Sequence, residues 1–165
     1  MPPPLLRTVL GPAAIFAALT LLGGCGDGDG GTLTKAKFVA RGDEICKQAH
    51  GQFSEAQQNP PNTPAGAAAL QRRLIEISEG ELSAIDDLDA PSDIRPALDR
   101  YLRARERGIA LLKRGLAAAR QEDERAYAAA QARLAAGQVR RLRLARAVGF
   151  RECSVVASQS SPGGG

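Results

Sequence analysis

Aromatic side chains are scarce in this chain. Its 165 residues include no tryptophan, two tyrosines and four phenylalanines. A broad aromatic core is therefore excluded, and the hydrophobic centre must be thin. Valine and isoleucine are also few beside Ala, Leu, Arg, Glu and Gln, which argues against strands and for helices. There is one histidine, His50. No His-Glu-x-x-His or Glu-x-x-His accompanies it, so the zinc-hydrolase and di-iron bundle patterns are missing. His50 reads as an ordinary helix residue. Phosphate-binding P-loops and Gly-x-Ser-x-Gly elbows are absent too. Neither Cys-x-x-Cys nor a haem-attachment motif occurs. No catalytic residue is legible, so an enzyme is not expected, and neither is a cofactor or a metal.

What the chain does have begins at its N-terminus. Met1–Arg7 carries a single basic side chain, Arg7. Val9–Leu22 follows as an uncharged, Leu- and Ala-rich run of about 14 residues, too short for a spanning helix of roughly 20. Leu22-Gly23-Gly24-Cys25 closes it, small residues followed by cysteine, and this resembles a bacterial lipobox. On that reading Cys25 becomes the first residue of the processed chain and carries thioether-linked diacylglycerol. Two or more acyl chains give stable membrane attachment. The expected location is the extracytoplasmic face of a cell membrane. Gly26-Asp27-Gly28-Asp29-Gly30-Gly31 reads as a flexible tether. It lacks the later ligands of a calcium loop, above all a Glu at position twelve.

Three cysteines occur, and acylation of Cys25 leaves Cys46 and Cys153. Outside the cytoplasm an even remainder favours a disulfide, with a reactive thiol or a metal pair as the alternatives. The closed loop would be about 100 residues, for which chain entropy assigns roughly 4–5 kcal/mol.

The expected organisation is a lipoprotein signal peptide at 1–24, a tether at 25–33, a helical domain at 34–153 and a disordered tail at 154–165. Four helices can be read. The first starts at Thr34, with Phe38, Ile45, Cys46, Ala49 and Phe53 on one face, and stops before Asn59-Pro60-Pro61-Asn62. The second starts at Thr63-Pro64, carries Leu70, Leu74, Ile77, Ile85 and Leu88, and stops at Asp89-Ala90-Pro91. The third runs from Ser92 to about Arg120, with Leu98, Tyr101, Leu102, Ile109, Leu112 and Leu116 at helical spacing. The fourth begins near Asp123 and ends around Gly149, with Tyr127, Leu134, Leu142 and Ala145 on one face. Short breaks between long helices predict an all-α, antiparallel four-helix bundle. Cys46 lies well along the first helix, so Cys153 can reach it only if the chain folds back after Gly149.

Phe38-Val39-Ala40-Arg41-Gly42-Asp43-Glu44-Ile45-Cys46 early and Gly149-Phe150-Arg151-Glu152-Cys153 late have a further use. With the lipobox and tether, this layout resembles a loose group of small helical lipoproteins of high-GC bacteria. They carry F-x4-[DN]-x-I-C near the start of the domain and G-[FL]-x-x-C near its end. The resemblance implies a helical domain with Cys46 and Cys153 paired. It transfers no catalytic residue.

Charge supplies the remaining signals. The net charge is +4, too small to imply a nucleic-acid partner. Glu76, Glu79, Glu81, Asp86, Asp87, Asp89 and Asp93 form an acidic run, read as a solvated face. Arg133, Arg140, Arg141, Arg143 and Arg146 crowd the fourth helix opposite its apolar side, with Arg151 beyond. Close to a membrane such a face suits anionic lipid headgroups or anionic envelope polymers, at about 1 kcal/mol per contact. The functional expectation is a lipid-anchored, non-enzymatic binding or interaction module. A carrier enclosing a small hydrophobic ligand is the alternative, and it requires an apolar cavity of at least a few hundred Å³.

Overall fold

The computed structural model describes residues 32–156. The signal peptide, Cys25 and most of the tether and tail lie outside the described residues. Helices are α1 (Lys35–Ala56), α2 (Pro64–Asp86), α3 (Arg95–Arg120), α4 (Glu124–Ala136) and α5 (Gln138–Val148), followed by a 3-10 turn, Glu152–Ser154. No strand occurs among the described residues.

Local chemistry sets the helix starts. The Thr34 hydroxyl accepts from Lys37 N (3.3 Å) and that of Thr63 from Gly66 N (3.1 Å), with Pro64 in the first turn. Asp123 accepts from Ala126 N at 2.9 Å to open α4. The third helix starts at Arg95, not Ser92, because residues 92–94 form a turn and Pro96 occupies the first helical turn.

The expected fourth helix is divided at Gly137, which both ends α4 and starts α5. Arg141 explains the break: its guanidinium donates to the Leu134 carbonyl (3.1 Å). A side chain that competes for an i→i−4 acceptor interrupts the helical ladder. A Cβ on Gly137 would lie 2.9 Å from Arg141 Nη1, so a larger residue there would displace the guanidinium from the Leu134 carbonyl.

Helix α3 is central and packs against α2, α4 and α5, while α1 packs against α2. Gln71 lies beside Gly115 and Glu81 beside Arg105, so α2 and α3 run in opposite directions. The 3-10 turn touches both α1 and α5 and fills the space between them at one end. Leu33 is buried and donates from its N–H to Asp89 O (3.1 Å), so the folded part begins one residue before Thr34. At the other end Ser154 is buried, and the ordered chain extends past the expected start of the tail.

The two short motifs form a lock. Gly149 adopts φ +109°, a left-handed conformation that turns the chain back. Phe150 then enters the core, stacked on Phe38 and edge-on to Tyr101, both at 5.7 Å between centroids. The Asp43 carboxylate accepts from the backbone of Arg151 (2.8 Å) and Glu152 (2.9 Å). Cys46 and Cys153 are joined by a disulfide. Gly42 is the gap Phe150 fills: a Cβ there would come within 2.8 Å of Phe150 Cζ and closer still to Cε1. Gly42→Ala is expected to destabilise the domain by about 1–3 kcal/mol, the range for overpacking a filled core. Equilibrium urea unfolding checks this, and an unchanged midpoint would show that the ring has another place to go.

Candidate functional site

The main core lies at the end where the chain enters, around Phe38, Leu98, Tyr101, Val148 and Phe150. One turn further along, charge replaces hydrocarbon. Glu81 of α2 is only 4 % exposed at its side chain and forms an ion pair with Arg105 of α3, itself 19 % exposed. The Tyr101 hydroxyl hydrogen-bonds to Glu81. The other Glu81 oxygen, Oε1, lies 3.4 Å from Cys46 Sγ, so the pair abuts the disulfide. Burial pushes the Glu81 carboxyl up, while Arg105's charge and the Tyr101 hydroxyl pull it back. Burial raises the Tyr101 phenol well above its usual range. Burial also opposes charge on Arg105, but Glu81 and then Tyr101 outweigh it, and the guanidinium is held above its ordinary value.

This network floors a cleft of about 130 Å³. His50 and Phe53 of α1 form one wall, Gln138, Arg141 and Leu142 of α5 the other, and Cys153, Val155 and Val156 close one side. The cleft exists because the 3-10 turn, and not a long α1–α5 contact, joins those helices.

The expected solvated acidic face is corrected at one position. Glu76, Glu79, Asp86, Asp87, Asp89 and Asp93 are exposed, with Glu79 paired to Lys113 at 2.7 Å. Glu81 instead points into the bundle. The arginine set is corrected similarly. Arg133, Arg140 and Arg143 are exposed, and Arg146 reaches the Ser154 carbonyl at 3.4 Å. Arg141 leaves that face and turns inward into the cleft, half-buried, where burial and the charge of Arg105 lower its pKa. His50 is half-buried on the same cleft, although it reads from sequence as unexceptional.

Burial lowers the His50 pKa below 6.5, Glu152 raises it in part, and Arg105 lowers it further. Between the folded value and 6.5 the native state then binds fewer protons than the unfolded chain. Stability contributed by neutral His50 is present above about pH 6.5 and is lost as pH falls towards the folded value. Glu81, Tyr101 and Arg141 also face this cleft. As the only histidine, His50 gives one imidazole signal, and its NMR titration midpoint should fall below 6.5. A midpoint at or above 6.5 would contradict the assignment.

A second cleft, about 390 Å³, lies at the other end among Pro61, Pro64, Ala67, Ala118, Ala119 and Tyr127, rimmed by Glu122, Asp123 and Glu124. Most of its lining residues are surface residues, so it is a cleft at the end of the bundle and not a chamber within it. No group of three or more His, Cys, Asp or Glu among the described residues is placed to hold a metal. No described helix is long and apolar enough to cross a membrane. No protein-family model, curated protein or solved structure matches the chain.

Proposed function

We propose that this chain is a lipid-anchored binding module on the extracytoplasmic face of a membrane, attached through Cys25, that engages anionic lipid headgroups through α4 and α5. One observation carries the reading: Arg133, Arg140 and Arg143 project from these helices at steps of seven and three with no acidic partner in ion-pair range among the described residues. Guanidinium groups bind phosphate in paired hydrogen bonds, and an unpaired row of them suits a phosphate surface. Val139 supports lipid over a polymer: it is 67 % exposed and stands four residues before Arg143 in α5, one helical turn away on the same face, an apolar side chain beside a headgroup-binding cation. Seven residues lie between Cys25 and the folded edge at Leu33, a reach of at most about 30 Å. That keeps the arginine row near the surface to which the anchor would hold it.

The test has two arms. Vesicles containing phosphatidylglycerol should sediment the full chain at low salt and release it at high salt, because screening weakens exposed charge contacts. In a Cys25→Ser background, Arg133→Glu, Arg140→Glu and Arg143→Glu together should abolish the residual binding, and unchanged binding would remove the arginine row from the account. In cells, Cys25→Ser should let a high-salt wash strip the protein from the membrane fraction, whereas the lipidated protein should withstand it, and retention of Cys25→Ser after that wash would refute the anchor.

A further inference from the structure

We propose that the cleft between α1 and α5 is a binding site for a small organic carboxylate, gripped by Arg141 and Arg105 and enclosed by a short apolar rim. The proposal is independent of the headgroup-binding reading, since Arg141 and Arg105 are not part of the outward arginine row.

Charge balance is the first argument. Two guanidinium groups, Arg105 and Arg141, meet one carboxylate, Glu81, which is already engaged by Arg105. Glu152 acts on His50. No acid is among the charges that act on Arg141, and it makes no ion pair among the described residues, so its half-buried guanidinium has no counter-ion of its own. Taking an unpaired cation out of water is costly unless an anion enters with it.

Hydrogen-bonding capacity is the second. A guanidinium offers five N–H donors. Arg141 spends one on the Leu134 carbonyl. Arg105 Nε is buried without any acceptor. Buried donors are ordinarily satisfied, so one without a partner beside a cavity points to a missing acceptor. A carboxylate supplies two acceptor oxygens in the geometry an arginine fork prefers.

Shape decides the class of anion. A volume of about 130 Å³ exceeds the 10–15 Å³ that one water needs, so a ligand of several non-hydrogen atoms has room. Phe53, Leu142, Val155 and Val156 present hydrocarbon around the charged floor. One uncompensated charge matches a monovalent head, and the apolar rim matches a short alkyl or aryl body. A dianionic phosphate would overfill the charge and find little to touch at the rim. Positioning follows directly: the carboxylate sits at Arg141 and its body lies towards α1.

The experiment titrates sodium butyrate, with sodium phosphate in parallel, into the full chain at constant ionic strength. The His50 imidazole signal and the melting temperature are read together. Butyrate should give a saturable shift, raise the His50 pKa by favouring imidazolium, and raise the melting temperature. Its methyl protons should show a direct NOE to the Phe53 ring, a readout that needs no variant. Arg141→Met should weaken butyrate binding at least tenfold, whereas Arg125→Gln, at an exposed position of α4 outside both sites, should leave it unchanged. A linear, unsaturating response, an absent NOE, equal binding to Arg141→Met, or a stronger response to phosphate would each overturn the proposal.

Discussion

Reducing the Cys46–Cys153 disulfide is expected to cost the domain about 4–5 kcal/mol of stability. The bond spans 107 residues, nearly the whole described fold. Opening a loop of about 100 residues restores to the unfolded chain entropy worth roughly 4.7 kcal/mol in the chain-entropy treatment. That loss is severe here because the rest of the core is modest. Away from the entry end, the second hydrophobic cluster consists of Ile75, Ile109 and Leu112 with a few half-buried leucines. Domains of this size hold only about 5–15 kcal/mol in total. Urea unfolding followed by far-UV circular dichroism, with and without a phosphine reductant, should show a large fall in midpoint. Cys46→Ser combined with Cys153→Ser should match the reduced protein. An unchanged midpoint would mean that the Asp43 cap and the Phe38–Phe150–Tyr101 stack hold the C-terminal turn unaided.

The same bond reaches beyond stability. It holds Cys153 against α1, and with it Val155 and Val156 on the edge of the cleft. Reduction should therefore weaken carboxylate binding even at temperatures where the helices remain folded.

The sequence made the helices legible because their signals are local. Thr34, Thr63-Pro64 and Asp123 cap where capping residues stand, and Asn59-Pro60-Pro61-Asn62 breaks where it must. The lock was legible in part: Cys46, Cys153 and the reversal at Gly149 were expected, while the tasks of Gly42 and Asp43 depend on Phe150 arriving from across the fold. Two features were hidden for a different reason. The apolar stripe of α2 steps from Ile77 to Ile85 and omits one position, which is Glu81. The stripe of α3 steps from Tyr101 to Ile109 and omits one position, which is Arg105. Each gap falls four residues from an apolar neighbour on either side, and therefore on the buried face. Seen in one helix, such a residue passes for part of a charged surface. Seen in both, opposite charges fill matching gaps in neighbouring helices, and that coincidence is the signal for a buried pair. Arg141 carried a one-sided form of that signal: it stands seven residues after Leu134 and four before the buried Ala145, on the apolar side of the expected fourth helix, with no acidic residue in a matching gap.

That buried pair carries the other large effect. Glu81→Gln should destabilise the domain by about 3–5 kcal/mol, since it leaves Arg105 as a buried cation without its partner. Arg105→Met should act in the same direction, stranding the Glu81 carboxylate beside the disulfide. The pair stands 4 % and 19 % exposed, so water reaches mainly the arginine side. The loss for Glu81→Gln, which leaves that wetter partner behind, is accordingly expected near the lower end, about 3 kcal/mol. The double variant Glu81→Leu with Arg105→Met separates two accounts of why the pair is there. Hydrocarbon of similar volume needs no counter-charge, and replacing both members of a buried ion pair is often neutral or stabilising. The double variant should thus be more stable than Glu81→Leu or Arg105→Met alone, with a coupling well above 1 kcal/mol in the thermodynamic cycle that these three variants close. It should also lose the carboxylate response of the cleft, because Arg105 is part of its charged floor. Recovery of stability without recovery of binding would show that these charges are retained for the cleft and not for the fold. Additive losses in the cycle would instead show that Glu81 and Arg105 contribute independently, and the reading of one coupled buried pair would fail.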